Sequence, residues 1–339
     1  AGNVQAAEIR SVGPDGEAAV DASTIELTDD QIAQIKEGGY TAAICLHYGG
    51  NDWSTSQQKG LEDTFGELGI EIVAVTDANF SAETQVSNIE TVMAKKPDIL
   101  VSIPTDATAT ADAYKQAAAA GIKIVFMDQR ANGLEAGKDY VSVVSADNYG
   151  NGYASGTVLG DALGGKGKVA MVYYDANFAP TNQRDEGFRD AMKNYPDIEI
   201  VTEQGFTDES GCAEQGDAIL TQFPNIDGIY ASWDVPMEGV LSAVRAAGME
   251  GKVTLACNDL GNNVAREIAS GNIAGGGAQM PYDQGVAEAK LAALALLGEE
   301  TPSYVAVPAE TVTHENVLEA YTDVYHVETP DWLKEAYVE

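Results

Sequence analysis

Cysteine is scarce in this sequence: Cys45, Cys212 and Cys257 are the only three among 339 residues. Three thiols do not make a disulfide framework. Cys45 and Cys257 lie within apolar runs, where a free thiol packs as a small hydrophobe. Histidine is equally rare, and His47, His314 and His326 have no zinc-ligand spacing to the cysteines, so no metal site is expected. Positive charge is in short supply, with 19 basic against 53 acidic residues and a formal net charge of −34. A surface that negative repels phosphate backbones and anionic membranes, which removes nucleic acid as a partner, and it suits solubility in salty surroundings. No apolar run is long enough to cross a bilayer. The nucleophile elbow G-x-S-x-G, the P-loop and the dinucleotide fingerprint G-x-G-x-x-G are missing, and Gly150–Gly156 has the wrong spacing. No cofactor is expected. The chain opens Ala1-Gly2 without an initiator Met, as a processed chain does, so the lack of a leader says nothing about location.

What is present is an alternation. Residues 1–37 read as a lead-in, a partly flexible extension whose first 23 residues carry Gly13-Pro14-Asp15-Gly16 and no sustained apolar period. Thr28-Asp29-Asp30-Gln31 caps a short helix that Gly38-Gly39 ends. From Tyr40 the strands 41–47, 70–75, 98–103 and 122–127 alternate with helices 55–68, 82–95 and 107–120. These strands are apolar nearly throughout, as parallel strands covered on both faces are. The pattern then restarts, with strands near 140–144, 168–173, 198–202, 227–231, 252–257 and 273–278. A helix over 282–297, strands near 304–307 and 309–313 and a helical tail complete it. Short turns between alternating strands and helices build right-handed βαβ units, so two similar doubly wound lobes are expected, and 339 residues suffice for both.

The polar residues cluster where strands end. Tyr48-Gly-Gly-Asn51-Asp52-Trp53-Ser54 follows the first strand, and Asp128-Gln129-Arg130 follows the fourth. In the second half Tyr174–Phe178 follows a strand, with Arg184 shortly after. Ser232-Trp233-Asp234, Asn258-Asp259 and Gln279 end three others. Ligands of open α/β sheets bind at this carboxyl edge. The set is rich in Asp, Asn, Gln, Arg and aromatic rings and lacks a nucleophile–base pair. Planar polar groups matched to hydroxyls, with aromatic faces against C–H faces, are what sugars require. Each residue also has a plainer reading. Asp at such a junction caps the next helix, the role assigned to Asp106, and Trp53 or Trp233 can be core.

At these residues the chain resembles the ribose-type sugar-binding proteins of bacterial ABC importers, the class I periplasmic binding proteins. The resemblance rests on GGNDWSTSQQKG, PTDATATADAYKQAAAAGIKIVFMDQR and VSADNYGNGYASG. It continues through QRDEGFRDAM, YASWDVPMEGVLSAVRAAG, NDLG and GAQMPYDQG, in the family's order over roughly residues 40–314. It implies two Rossmann-like lobes, each a mostly parallel sheet with helices on both faces, joined by a three-segment hinge. The implied crossings fall near 145–147, 278–280 and 308–311. The amino-terminal lobe is then 38–146 plus 280–309 and the carboxyl-terminal lobe 147–279 plus 310–339.

By the resemblance, a sugar or polyol is held in the inter-lobe cleft. Asn51, Trp53, Asp128, Arg184, Phe206, Asp259 and Gln279 match family contacts. Asp52, Gln129, Trp233 and Asp234 stand at or beside positions where the chain departs from the pattern. Gln129 replaces an arginine, Trp233 an asparagine and Ser54 a second aromatic, which leaves pentose, hexose and polyol open. The resemblance further implies an extracytoplasmic monomer, periplasmic or lipid-tethered, that is not an enzyme and hands its ligand to ABC permease subunits. A ligand-sensing protein of the same fold is the alternative, and a sugar-processing enzyme is a third class. A DNA-binding regulator on this core needs a basic helix-turn-helix at the amino end, but residues 1–37 hold only Arg10 and Lys36 as basic groups.

Overall fold

The computed structural model describes residues 8–339, in two compact units. The amino-terminal unit comprises 11–146 and 281–307, and the carboxyl-terminal unit 8–10, 147–280 and 308–339. The chain therefore passes between units after Ala146, Met280 and Val307, and also after Arg10.

In chain order the amino-terminal unit begins with β1 (Val20–Asp21), α1 (Asp29–Gly38), β2 (Thr41–Leu46), α2 (Asp52–Glu67), β3 (Glu71–Asp77) and α3 (Ala82–Met93). It continues with β4 (Ile99–Ser102), α4 (Ala111–Ala119), β5 (Lys123–Met127) and β6 (Ser142–Ala146). The carboxyl-terminal unit then runs α5 (Asn148–Ala162), β7 (Lys166–Tyr174), α6 (Ala179–Met192), β8 (Asp197–Phe206), α7 (Ala213–Gln222) and β9 (Gly228–Ala231). It goes on through α8 (Asp234–Ala246), β10 (Thr254–Cys257), α9 (Asn262–Ala269) and β11 (Gly275–Ala278). The chain returns to the first unit for α10 (Pro281–Leu296) and β12 (Tyr304–Val307), and ends in the second with β13 (Glu310–Thr313), α11 (Val317–Tyr325) and α12 (Asp331–Ala336).

The two sheets share one strand order through five strands. The first is ordered β3-β2-β4-β5-β6-β12-β1 and the second β8-β7-β9-β10-β11-β13. Strand pairs are parallel apart from β11 with β13. In each sheet the first strand of the series lies beside the second and the third, so chain direction reverses there. That switch point is where doubly wound sheets open a crevice at their carboxyl edge. The central strands are buried, as β4 and β9 show along their whole length, because helices cover both faces.

Two differences from the sequence reading bear on the site. Helix α2 starts at Asp52, three residues ahead of the expected start, so Asp52 and Trp53 belong to its first turn. The lead-in is also bound to the first unit. Val12 and Ala18 form a bridge, Arg130 pairs with Asp15 at 2.8 Å, and β1 adds a seventh strand by pairing with β12. A two-residue strand carries no periodicity, so its place could not be read from spacing. The part of the extension at 1–7 lies outside the described residues.

Candidate functional site

Each unit carries its own set of polar and aromatic groups at the carboxyl edge of its sheet. In the amino-terminal unit β2 runs into His47 and Tyr48, and Gly50 turns the chain with φ +83°, a value open to glycine. Asn51 caps α2: its Oδ1 accepts from the Ser54 N–H at 3.0 Å and from the Ser54 hydroxyl, and its Nδ2 donates to Tyr48 Oη at 2.7 Å. Asp52 follows in the first turn, where a carboxylate complements the helix dipole. Trp53 is 7% exposed and meets His47 edge-on at 5.6 Å, while Tyr48 stacks on Phe80 at 4.2 Å. The indole is thus part of an aromatic cluster.

Asp128 leaves β5 in the left-handed region, at φ +59°, which Asp tolerates better than most residues. Its N–H donates to Val144 O at 2.8 Å, and its Oδ1 accepts from the Ala146 N–H at 3.1 Å and Gln284 Nε2 at 3.2 Å. Ser145 Oγ lies 3.1 Å from the same oxygen. Gln129 turns inward and donates through Nε2 to Pro104 O at 2.8 Å, tying the exit of β5 to the loop after β4.

The carboxyl-terminal unit repeats the device. Asp259, just past β10, also has a left-handed backbone (φ +74°), and its N–H donates to Gly277 O of β11 at 2.9 Å. Gln279 Nε2 donates to Asp259 Oδ1 at 2.5 Å, and Arg184 Nη1 lies 4.0 Å from Oδ2. The Arg184 guanidinium, 5% exposed, is set by Nε to Asn148 Oδ1 at 3.0 Å and Nη1 to Ser232 O at 3.2 Å. A rigid fork fixed at two acceptors presents one orientation. Phe206 ends β8 and packs 5.2 Å from Trp233, with Tyr174 within 5.7 Å of both and Phe178 beside Tyr174. Trp233 Nε1 donates to Glu209 Oε2 at 3.1 Å.

Asp234 has a different task. Its Oδ1 accepts from the Val235 N–H and its Oδ2 from the Gly261 N–H, both at 2.9 Å, so it clamps the start of α8 to the loop that precedes α9. Burial, then the Asp259 and Glu238 charges, push its pKa well above the usual carboxylate range. Burial also raises Asp259, against the Arg184 charge and the Gln279 hydrogen bond, which pull it down. Beneath Arg184, burial pushes the Asp185 carboxyl up to about 6, with the Ser232 and Tyr230 hydroxyls opposing.

The structure joins Arg184, Asp259 and Gln279 in one bonded group and Phe206 with Trp233 in one wall. Asn51 and Trp53 share the start of α2, and Asp128 and Gln129 the exit of β5. The sequence reading did not select Tyr174, Phe178, Asn148 or Gln284 as site residues. Tyr174 and Phe178 stood in a strand-exit loop of the same kind, and Gln284 is a polar residue on an alanine-rich helix. Among the described residues no group of His, Cys, Asp and Glu is placed to hold a metal ion. All three thiols are buried and free, and burial pushes Cys45 up to about 11 and Cys212 up to about 12, away from nucleophilic use.

A model of the periplasmic binding protein domain family matches residues 42–300. The D-ribose/D-allose-binding protein of Pseudomonas aeruginosa is 29% identical over 77% of this chain and 83% of its own length. An ABC transporter periplasmic solute binding protein from Actinobacillus succinogenes, solved with D-allose, superposes with TM-score 0.76 at 29% identity, over 82% of this chain and 99% of that one. An ABC transporter solute binding protein from Agrobacterium vitis, solved with α-D-tagatopyranose, gives TM-score 0.77 at 26% identity, over 86% of this chain and all (100%) of that one.

Proposed function

The chain belongs to the periplasmic binding protein domain family, and on that premise we propose that it captures a monosaccharide or related polyol and delivers it to an ABC importer. The observation that carries this reading is the Arg184–Asp259–Gln279 group. A buried guanidinium, carboxylate and amide, with Asp259 bonded to Gln279 and 4.0 Å from Arg184, offer donors and acceptors in fixed directions, which is what adjacent sugar hydroxyls need. The wall of Phe206 and Trp233 supplies apolar faces for ring C–H groups. In the amino-terminal unit Asn51, Trp53 and Asp128 are the proposed sugar contacts, with Asp52 and Gln129 beside them. Asp234 supports the site through the backbone. A relative named for ribose and allose, and solved neighbours holding D-allose and α-D-tagatopyranose, support the ligand class.

The chemistry is binding without conversion. Relatives that are binding proteins support this reading, as do buried thiols raised away from nucleophilic use. The protein works outside the cytoplasm as a monomer, with permease subunits as its partners. Among the described residues no helix is long and apolar enough to cross a membrane.

A thermal-shift panel of D-allose, D-ribose, D-xylose, D-arabinose, D-tagatose, myo-inositol and allitol tests the reading. A ligand that binds only the folded state raises the melting temperature. At least one panel member should do so at millimolar concentration, and a panel with no shift would overturn the assignment.

A further inference from the structure

Helix α10 opens immediately after the chain enters the amino-terminal unit, and its inner face carries two fully buried polar residues one turn apart, Gln284 and Glu288. The helix packs against α2 closely enough that a Cβ on Gly60 would lie 2.3 Å from Tyr282 O, and one on Gly285 2.4 Å from Gln57 O. An alanine-rich helix packed this tightly fills the interface with small residues, and buried amides and carboxyls there cost desolvation free energy. Packing alone gives no reason for them.

Their bonds give one. The Gln284 amide nitrogen faces two acceptors, Val144 O at 3.0 Å and Asp128 Oδ1 at 3.2 Å. Turning the amide over would set oxygen against oxygen twice, so the donor orientation is the one the chemistry requires. One hydrogen thus anchors Gln284 to β6 and the other is aimed at the carboxylate of Asp128. One turn on, Glu288 Oε2 accepts from Gln57 Nε2 at 2.6 Å. Gln57 lies one turn beyond Trp53 on α2, so the same helix carries Asn51 and Trp53 at its start. Burial pushes the Glu288 carboxyl well above the usual carboxylate range, with the Gln57 hydrogen bond opposing and the Asp128 charge adding to the effect.

We propose that Gln284 is a positioning residue for sugar binding: anchored on β6 and braced through the Glu288–Gln57 bond, it fixes the direction in which Asp128 offers its carboxylate. This rests on the reading of Asp128 as a sugar contact.

The test is a double-mutant cycle. Wild type, Asp128→Asn, Gln284→Met and the double variant are titrated calorimetrically with D-allose, or with the panel sugar that raises the melting temperature most. Gln284→Met should weaken binding about tenfold, the scale of one hydrogen bond to a charged group. The double variant should bind no more weakly than Asp128→Asn, because Gln284 acts through Asp128. Unchanged affinity in Gln284→Met alongside weakened Asp128→Asn would overturn the positioning role and leave the sugar reading standing, as would additive losses. Unchanged affinity in Asp128→Asn, or no binding by any panel sugar, would overturn both. If Gln284→Met does not fold, Gln284→Asn, whose amide stops one methylene short, is read by the same outcomes.

Discussion

Replacing Asp185 with asparagine should stabilise the carboxyl-terminal unit more at pH 8 than at pH 4.5. Asp185 follows Arg184 on α6 and is 3% exposed. Its Oδ1 accepts from Ser232 Oγ at 2.6 Å and Tyr230 Oη at 3.1 Å. Burial moves the carboxyl from its ordinary 3.8 to about 6, while those hydroxyls and then Arg189 and Arg184 hold it back. The folded chain therefore binds this proton more tightly than the unfolded chain does. Stability is greatest below the ordinary carboxylate value, falls as pH rises, and reaches its floor above about 6. A displacement of that size corresponds to about 3 kcal/mol. Asparagine keeps an oxygen for both hydroxyls and never ionises, so at pH 8 it should recover up to about 3 kcal/mol. Urea unfolding at the two pH values measures this, followed by tryptophan fluorescence, since Trp233 and Trp332 both lie in this unit. A variant less stable than wild type at pH 8, or a difference that does not change with pH, would refute the reasoning.

Other outcomes follow from the same geometry. Trp53→Ala should destabilise the amino-terminal unit by ~3–5 kcal/mol as well as weaken sugar binding, because the indole is 7% exposed and packed on His47. Parallel melting and calorimetry would separate the two effects, and an unchanged melting temperature would show the indole is not core. Arg184→Lys should weaken sugar binding tenfold or more, since an ammonium cannot hold Asn148 Oδ1 and Ser232 O in one plane; affinity within twofold of wild type would contradict the fork's role. Gly285→Ala puts a methyl 2.4 Å from Gln57 O and 3.0 Å from Leu61 N, forcing α2 and α10 apart, and should cost roughly 1–3 kcal/mol or more by urea titration.

The alternation of apolar strands with amphipathic helices was legible because buried parallel strands read as continuous apolar runs, as in Ile-Val-Phe-Met before Asp128. The strand ends were legible for the same reason, and with them Asp128 and Asp259. What spacing could not give was the work each side chain does. Asp234 reads like Asp259, yet both of its oxygens accept backbone N–H groups. Gln129 reads as a loop amide and binds the Pro104 carbonyl. Gln284 and Glu288 are spaced i, i+4 on α10, but the Ala-Leu face of that helix masked a buried polar pair. Strand β1 was invisible because its two residues gain their structure from β12 across the sequence.

Native mass spectrometry of the protein incubated with the sugar panel tests the central claim most directly, because it counts ligands per chain and weighs them. The expected result is one sugar or polyol per chain, of unchanged mass, with the adduct lost in Asp259→Asn. Two sugars per chain, a ligand of altered mass, or no adduct at millimolar sugar would contradict the account.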